Sequence, residues 1–313
     1  MKHSLLIAVW AATAAAEETP PAIALARRAY EQARAGQFAE AAAGLREAAR
    51  LDPANPIYRT ALGGVFERQG QLGEALAAFA EALRLDPANA ALRSRVESLS
   101  LDWGAILAKQ RRYRAGLVLA RQTVARSPQS SSAHLMLGLF LARNQQNLAA
   151  VDAYRRALVL DPLSAEASVG LGIAQFSAGL TREAQATFEA GIQAFPRDAI
   201  HRQAYGVMLM KMAESGEVPP SRGAGMLASA LEIDETLAEA RYQLGNLALM
   251  HGDAAQALTH FDVAAKNGLD DARLHYAASR ALRRLGRDAD ADGRLAIFRS
   301  RKVAEDSVRE PLP

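Results

Sequence analysis

Apolar residues fall along this chain in paired runs of helical spacing. Residues 56–89 carry Leu62-Gly63, Phe66, Gly70, Ala75, Phe79, Ala82 and Pro87, and residues 131–164 carry Leu137-Gly138, Leu141, Ala150, Tyr154, Ala157 and Pro162. Spacings of three and four place such residues on one face of a helix, so each stretch predicts two amphipathic helices joined by a turn. Gly36, Gly70, Gly179, Gly252 and Gly286 stand between the paired runs. There a residue free to take positive φ can end the first helix. The phrase "LRLDPANA", Leu83 to Ala90, has near-doubles at Ala49 to Pro56 and Leu158 to Ala165. Asp86-Pro87 stops a second helix and Asn89 leads into the next first helix, because proline disfavours helix in the residue before it.

The phrase serves as a ruler. Pro53 to Pro87, Pro128 to Pro162 and Pro162 to Pro196 are each 34 residues apart, and a fixed period of this size means stacked repeats. Counting along it gives units at about 22–55, 56–89, 90–130, 131–164, 165–198, 199–237, 238–271 and 272–305. In the third unit Leu92, Val96, Leu99, Trp103 and Leu107 continue one stripe. About seven extra residues there are two helical turns with a phase drift of only about 20°, so the helix can lengthen without rotating its buried face. The sixth unit holds "AESGEVPPSRG", where Pro219 and Pro220 predict a longer loop between its helices. The eighth has Ala278-Ser279 for Leu-Gly and Phe298 where a small residue is usual, and is expected to be the cap, followed by a polar, disordered tail over 306–313.

Within each unit the eighth residue is small (Ala29, Gly63, Gly104, Gly138, Gly172, Gly206, Gly245) and the twenty-fourth is large (Leu45, Phe79, Tyr154, Phe188, Phe261). A small residue lets a neighbouring helix approach, and the large one fills the space beside it. Leu-Gly, an aromatic, Ala, a further aromatic and a closing Pro at these spacings resemble the tetratricopeptide repeat. The resemblance implies an all-α, right-handed α-solenoid of about eight helix-turn-helix repeats over residues 17–305. It also implies a concave groove, lined by the first helices, that holds a partner's peptide or helix. Groove places are the second, fifth, ninth, twelfth and thirteenth of each unit. In the middle repeats they give an apolar strip of Leu135, Leu139, Val169, Ile173, Phe176, Val207 and Met210. In the last repeats they give Tyr242, Asn246, Tyr276, Arg280 and Arg283, a polar and basic end suited to a partner with apolar anchors and an acidic end. The family's clamp for C-terminal carboxylates needs a set of Lys, Asn and Arg that consecutive units here do not show.

Composition narrows the function further. Half of the 313 residues are hydrophobic but only 6% are aromatic, which suits many small interfaces between helices. The formal charge is +3 and the basic residues are spread along the chain, so nothing calls for nucleic acid. Arg34, Arg68, Lys109, Arg143, Lys211 and Arg284 all hold the thirteenth place, where the helix dipole favours a cation by about 0.3–1 kcal/mol. No cysteine is present, which excludes disulfides, thiolate metal sites and a lipid on cysteine. The six histidines include no His-x-x-x-His pair, and the methionines of "GVMLMKM" read as packing surface, so neither cofactor nor metal is expected. No convergent set of acids, bases and nucleophiles appears, and no catalytic residue is assigned.

Lys2 and His3 followed by an apolar run from Leu5 to Ala16, with Ala14 and Ala16 as a small-x-small end, read as a signal peptide cleaved after Ala16. The run is too short to span a bilayer. The mature chain is therefore expected in the periplasm or outside the cell, without stable membrane insertion, as a non-catalytic scaffold for envelope assembly. The alternative is an accessory targeting subunit of a periplasmic enzyme system such as cytochrome c maturation.

Overall fold

The computed structural model describes residues 20–307, so the leader expected over residues 1–16 and the last six residues of the tail lie outside the described residues. Sixteen helices and no strand occur among the described residues. They divide into two compact units, one of residues through Gln110 with Val118–Pro128, the other of Arg111–Leu117 with residues from Gln129 onward.

The first unit holds α1 (Pro21–Arg34), α2 (Phe38–Leu51), α3 (Pro56–Arg68), α4 (Leu72–Leu85) and α5 (Ala90–Lys109). The boundary between units falls inside α6 (Tyr113–Arg126). The second unit continues with α7 (Ser131–Arg143), α8 (Asn147–Leu160), α9 (Ala165–Ser177), α10 (Thr181–Ala194) and α11 (Ala199–Glu214). It ends with α12 (Pro220–Ile233), α13 (Ala238–Met250), α14 (Ala254–Lys266), α15 (Ala272–Arg284) and α16 (Asp288–Ser307). Odd-numbered helices are the first helices of repeats and even-numbered ones the second. From α3 on, first helices begin at the residues where the 34-residue ruler opens a unit.

Local chemistry explains these limits. Asp86 is the C-cap of α4, and the Asn89 side chain accepts from the Leu92 backbone N–H at 2.9 Å to start α5. Asn89 Nδ2 also donates to Asp86 Oδ2 at 3.2 Å, so one short phrase closes one helix and opens the next. Asn55 and Asp52 repeat the arrangement before α3, while Ser130 and Ser164 cap α7 and α9 through their hydroxyls. The extra residues of the third repeat extend α5 to 20 residues in one uninterrupted helix.

The turn inside the sixth repeat runs over residues 215–219 and is longer than the turns inside the other repeats, as Pro219 and Pro220 lead one to expect. The loop ends at Pro219, the N-cap of α12, and Pro220 is the first residue of that helix, where the missing N–H has no helical partner to lose. The tail expected from residue 306 needs correction, because α16 continues through Ser307, with no glycine or proline in its last turns.

Packing follows the small-to-large rule. A Cβ on Gly138 would stand 2.8 Å from the Tyr154 ring, and one on Gly170, in the next first helix, 2.5 Å from it. Tyr154 is thus held between two helices that can approach only because both lack side chains there. Gly63 with Phe79, Gly172 with Phe188 and Gly245 with Phe261 make the same pairing within their repeats.

In the second unit each helix packs on its successor, and first helices also touch the next first helices, from α7 through α9, α11 and α13 to α15. Its second helices make no comparable contact with one another. First helices are therefore drawn together on one side of this unit, and that side carries the groove places.

Candidate functional site

Four groove residues of the last two repeats meet around a cleft of about 360 Å³ between α13, α15 and α16. Tyr242 and Asn246 are one helical turn apart on α13, as are Tyr276 and Arg280 on α15, so both pairs project from neighbouring first helices in one direction. The Tyr242 ring leans on Phe261 at 6.0 Å between centroids, and the Tyr276 ring on Phe298 of α16 at 5.4 Å. These contacts fix the aromatic walls.

Three cations line the cleft. Arg273 lies 5.1 Å over the Tyr242 ring and bonds to Asp271 at 2.7 Å and Glu239 at 3.1 Å. Asp271 in turn caps α15 by accepting from the Leu274 N–H at 3.0 Å. Lys302 of α16 reaches Asp306 at 3.2 Å. Arg280 is exposed and has no acidic partner among the described residues. No acidic residue lines the cleft.

α16 is tied to the body of the unit by charge. Arg294 donates to Asp262 of α14 at 2.7 Å, and Arg301 pairs with Asp270. Asp270 also meets the buried His275 Nε2 at 2.8 Å, and the His275 hydrogen bond, with Arg301 beside it, holds the Asp270 carboxyl below its usual range. Phe298 and Lys302 were absent from the residues expected to form a groove. The available signal was Phe298 itself, a large residue where the repeat pattern has a small one.

Elsewhere the expected site does not assemble. Arg283 turns to Asp292 at 3.0 Å and does not line the cleft. Of the apolar strip, Val169 and Met210 are only 9% and 7% exposed, which corrects the reading of them as accessible groove residues. Val169 lies on α9, approached by both α7 and α11. Met210 Sδ occupies the space a Cβ on Gly223 would need, 2.8 Å away, and joins the core around Leu227 and Leu237. Leu135, Leu139, Phe176 and Val207 are half-buried, Phe176 and Val207 packing against adjacent core clusters. Ile173, 48% exposed, alone stands clear, and the other members of the strip are buried or half-buried.

The basic ladder also has structural employment. Arg284 donates to the Leu249 carbonyl at the end of α13, and Arg143 lies 6.0 Å over the Tyr113 ring. Among the described residues no group of three or more His, Asp or Glu could hold a metal ion, and no helix is long and apolar enough to cross a membrane.

Comparison with known proteins accords with this geometry. A tetratricopeptide repeat protein from Parabacteroides merdae superposes with a TM-score of 0.53 at 21% identity, covering 84% of this chain and 99% of the other. Pseudomonas aeruginosa pilF gives a TM-score of 0.52 at 17% identity, covering 66% and 92%. A thermophilic TPR protein of Thermus thermophilus gives 0.52 at 22%, covering 59% and 98%. Such similarity establishes the helical repeat fold. No curated protein matches the sequence. The tetratricopeptide repeat profile matches residues 26–90, 101–165, 142–199 and 242–292, more than half of the chain. This chain belongs to the tetratricopeptide repeat family, whose fold is generally a scaffold for protein–protein interaction.

Proposed function

We propose that the chain is a non-catalytic scaffold of the cell envelope that receives a partner's peptide or helix on the first-helix side of its last repeats. The observation that carries this reading is the cleft, where Tyr242, Asn246, Tyr276 and Arg280 come together from two first helices around open space. Aromatic walls with a few placed polar groups suit a bound segment, since rings supply contact area at low entropy cost and polar groups fix its direction. Residence in the periplasm or outside the cell is supported by the leader pattern ending at Ala16.

The test is recovery of partners from an envelope extract by the tagged chain and by a Tyr276→Asp, Arg280→Glu variant. Proteins held by the wild type and released by the variant are expected. Identical recovery by both would remove the last repeats from the reading. N-terminal sequencing of the chain from fractionated cells is expected to begin at Glu17, and an intact Met1 would defeat the export proposal.

A further inference from the structure

Sequence patterning reads the eighth repeat as a cap, yet its second helix supplies one wall of the cleft. Phe298 and Lys302, one turn apart on α16, face the space opened by Tyr242 and Asn246 of α13 and by Tyr276 and Arg280 of α15. A residue placed only to cover the end of the array has no reason to be a large aromatic set against an exposed tyrosine. Tyr276 remains 48% exposed beside it, so the pair leaves ring surface uncovered. Around that surface the lining contains three cations and no carboxylate. Arg273 is held by Asp271 and Glu239, and Lys302 by Asp306, whereas Arg280 keeps its guanidinium uncommitted among the described residues.

We infer that this cleft selects a peptide segment in which an acidic side chain lies within two residues of a leucine or aromatic side chain. The apolar side chain seats against Tyr276 and Phe298, and the carboxylate pairs with Arg280, whose planar fork of donors matches two carboxylate oxygens. Asn246, with a carbonyl and an amide in one side chain, can bond the backbone of an extended segment on both its donor and acceptor sides. Because α16 is fastened through Arg294–Asp262 and Arg301–Asp270, the wall bearing Phe298 and Lys302 is set before the segment arrives. This assignment rests on the reading of the chain as a peptide-binding scaffold and adds to it the chemistry of the partner.

The test uses the full chain, fluorescently labelled, on three resin-bound pools of internal peptides with amidated C-termini. One pool has Leu flanked by Asp or Glu, one has Leu flanked by Lys, and one has Gly flanked by Asp or Glu. Retention on the acidic-leucine pool is expected to exceed either other pool by about tenfold, a difference of one decade in affinity. Arg280→Glu and Phe298→Ser are expected to abolish that excess, while Arg283→Glu, whose native cation is already held by Asp292, leaves it in place. Circular dichroism checks that each variant keeps its helix content, and the two cleft variants act at different walls, so a folding defect in one leaves the other decisive. Equal retention on all pools, no retention on any, or an excess unchanged in both cleft variants would overturn the assignment. A control pool repeats the acidic-leucine peptides with free C-terminal carboxylates, and capture of that pool alone would overturn the assignment in favour of chain-end recognition. The scaffold reading fails separately, when the envelope-extract comparison shows no partner that depends on the last repeats.

Discussion

Val169 and Tyr276 hold the fifth place of their repeats, and Met210 and Arg283 the twelfth, yet their surroundings are opposite. Val169 and Met210 are 9% and 7% exposed, while Tyr276 is 48% exposed and Arg283 faces solvent. The difference lies in the neighbours. α9 and α11 each touch a first helix on both sides, whereas α15 touches α13 on one side and has no later first helix among the described residues. Register within a repeat fixes the direction of a side chain. Whether that direction ends in protein or in open space depends on what the next repeat brings.

The largest test of this contrast compares a buried groove place with an open one. Met210→Ala is expected to cost about 2–5 kcal/mol, since it removes a buried side chain that fills the gap at Gly223. Tyr276→Ser, facing the cleft, is expected to cost no more than about 1 kcal/mol. Urea unfolding followed by circular dichroism reads both, and similar losses would show that the end of the array is as closely packed as its middle.

Titration is expected to strike the middle repeats next. Burial pushes the Tyr154 hydroxyl up to about 12, and burial together with the hydrogen bond it donates to Glu189 at 2.8 Å does the same for Tyr205. Both pKa values are raised above the unfolded value near 10, so the stabilisation is complete below pH 10 and is lost as pH rises from 10 through 12. For Tyr154 two units amount to about 3 kcal/mol. Denaturation midpoints measured at pH 9 and pH 11.5 are expected to fall, and Tyr154→Phe to lose less over that interval than the wild type. An identical loss in that variant would place the alkaline weakness elsewhere.

The parts legible in the sequence were those whose cause sits inside one repeat. Gly138 and Tyr154 stand at a fixed offset in one unit, and Asp86, Pro87 and Asn89 act within four residues, so pattern alone located the pairings and the caps. The role of Gly170 against Tyr154 crosses to the next repeat and was not assigned. Likewise the burial of Met210 depends on Gly223 of α12, and the cleft depends on Phe298 and Lys302, residues of a second helix that repeat logic places away from the groove. Pro219 and Pro220 mark the longer loop of the sixth repeat, but proline also starts a helix well, so the sequence alone does not place the beginning of α12 at Pro220.

At the open end charge takes a larger share of the structure. Arg294–Asp262, Arg301–Asp270 and Arg283–Asp292 hold α16, all with partly or fully exposed partners, so each is worth no more than about 1 kcal/mol and is screened by salt. Hydrogen exchange at 1 M sodium chloride is expected to quicken in α16 relative to 50 mM while α9 is unaffected. An equal response in both helices would mean that α16 is held by its apolar contacts, Phe298 on Tyr276 foremost.

The smallest effect concerns the turns inside repeats. At the open end Gly252 and Gly286 take φ of +87° and +71°, and in the middle Gly179 takes +81°, but the turn between α7 and α8 is made by Gln145 at φ +62°. A side chain in that region costs about 1–2 kcal/mol over glycine. Introducing glycine also gives the unfolded chain more freedom, which returns about 0.4–1 kcal/mol. The difference leaves Gln145→Gly stabilising by about 0.5 kcal/mol, and Gly286→Ala destabilising at the matching turn of the last repeat. Gln145 makes no hydrogen bond through its side chain among the described residues that would offset this, and its backbone N–H bond to the Ala142 carbonyl at 3.0 Å is available to glycine as well. A rise in midpoint for Gln145→Gly with a fall for Gly286→Ala would show that the middle and the open end share one turn geometry and differ only in what the first helices meet. A fall for both would mean that Gln145 holds its turn by a contact that glycine cannot replace.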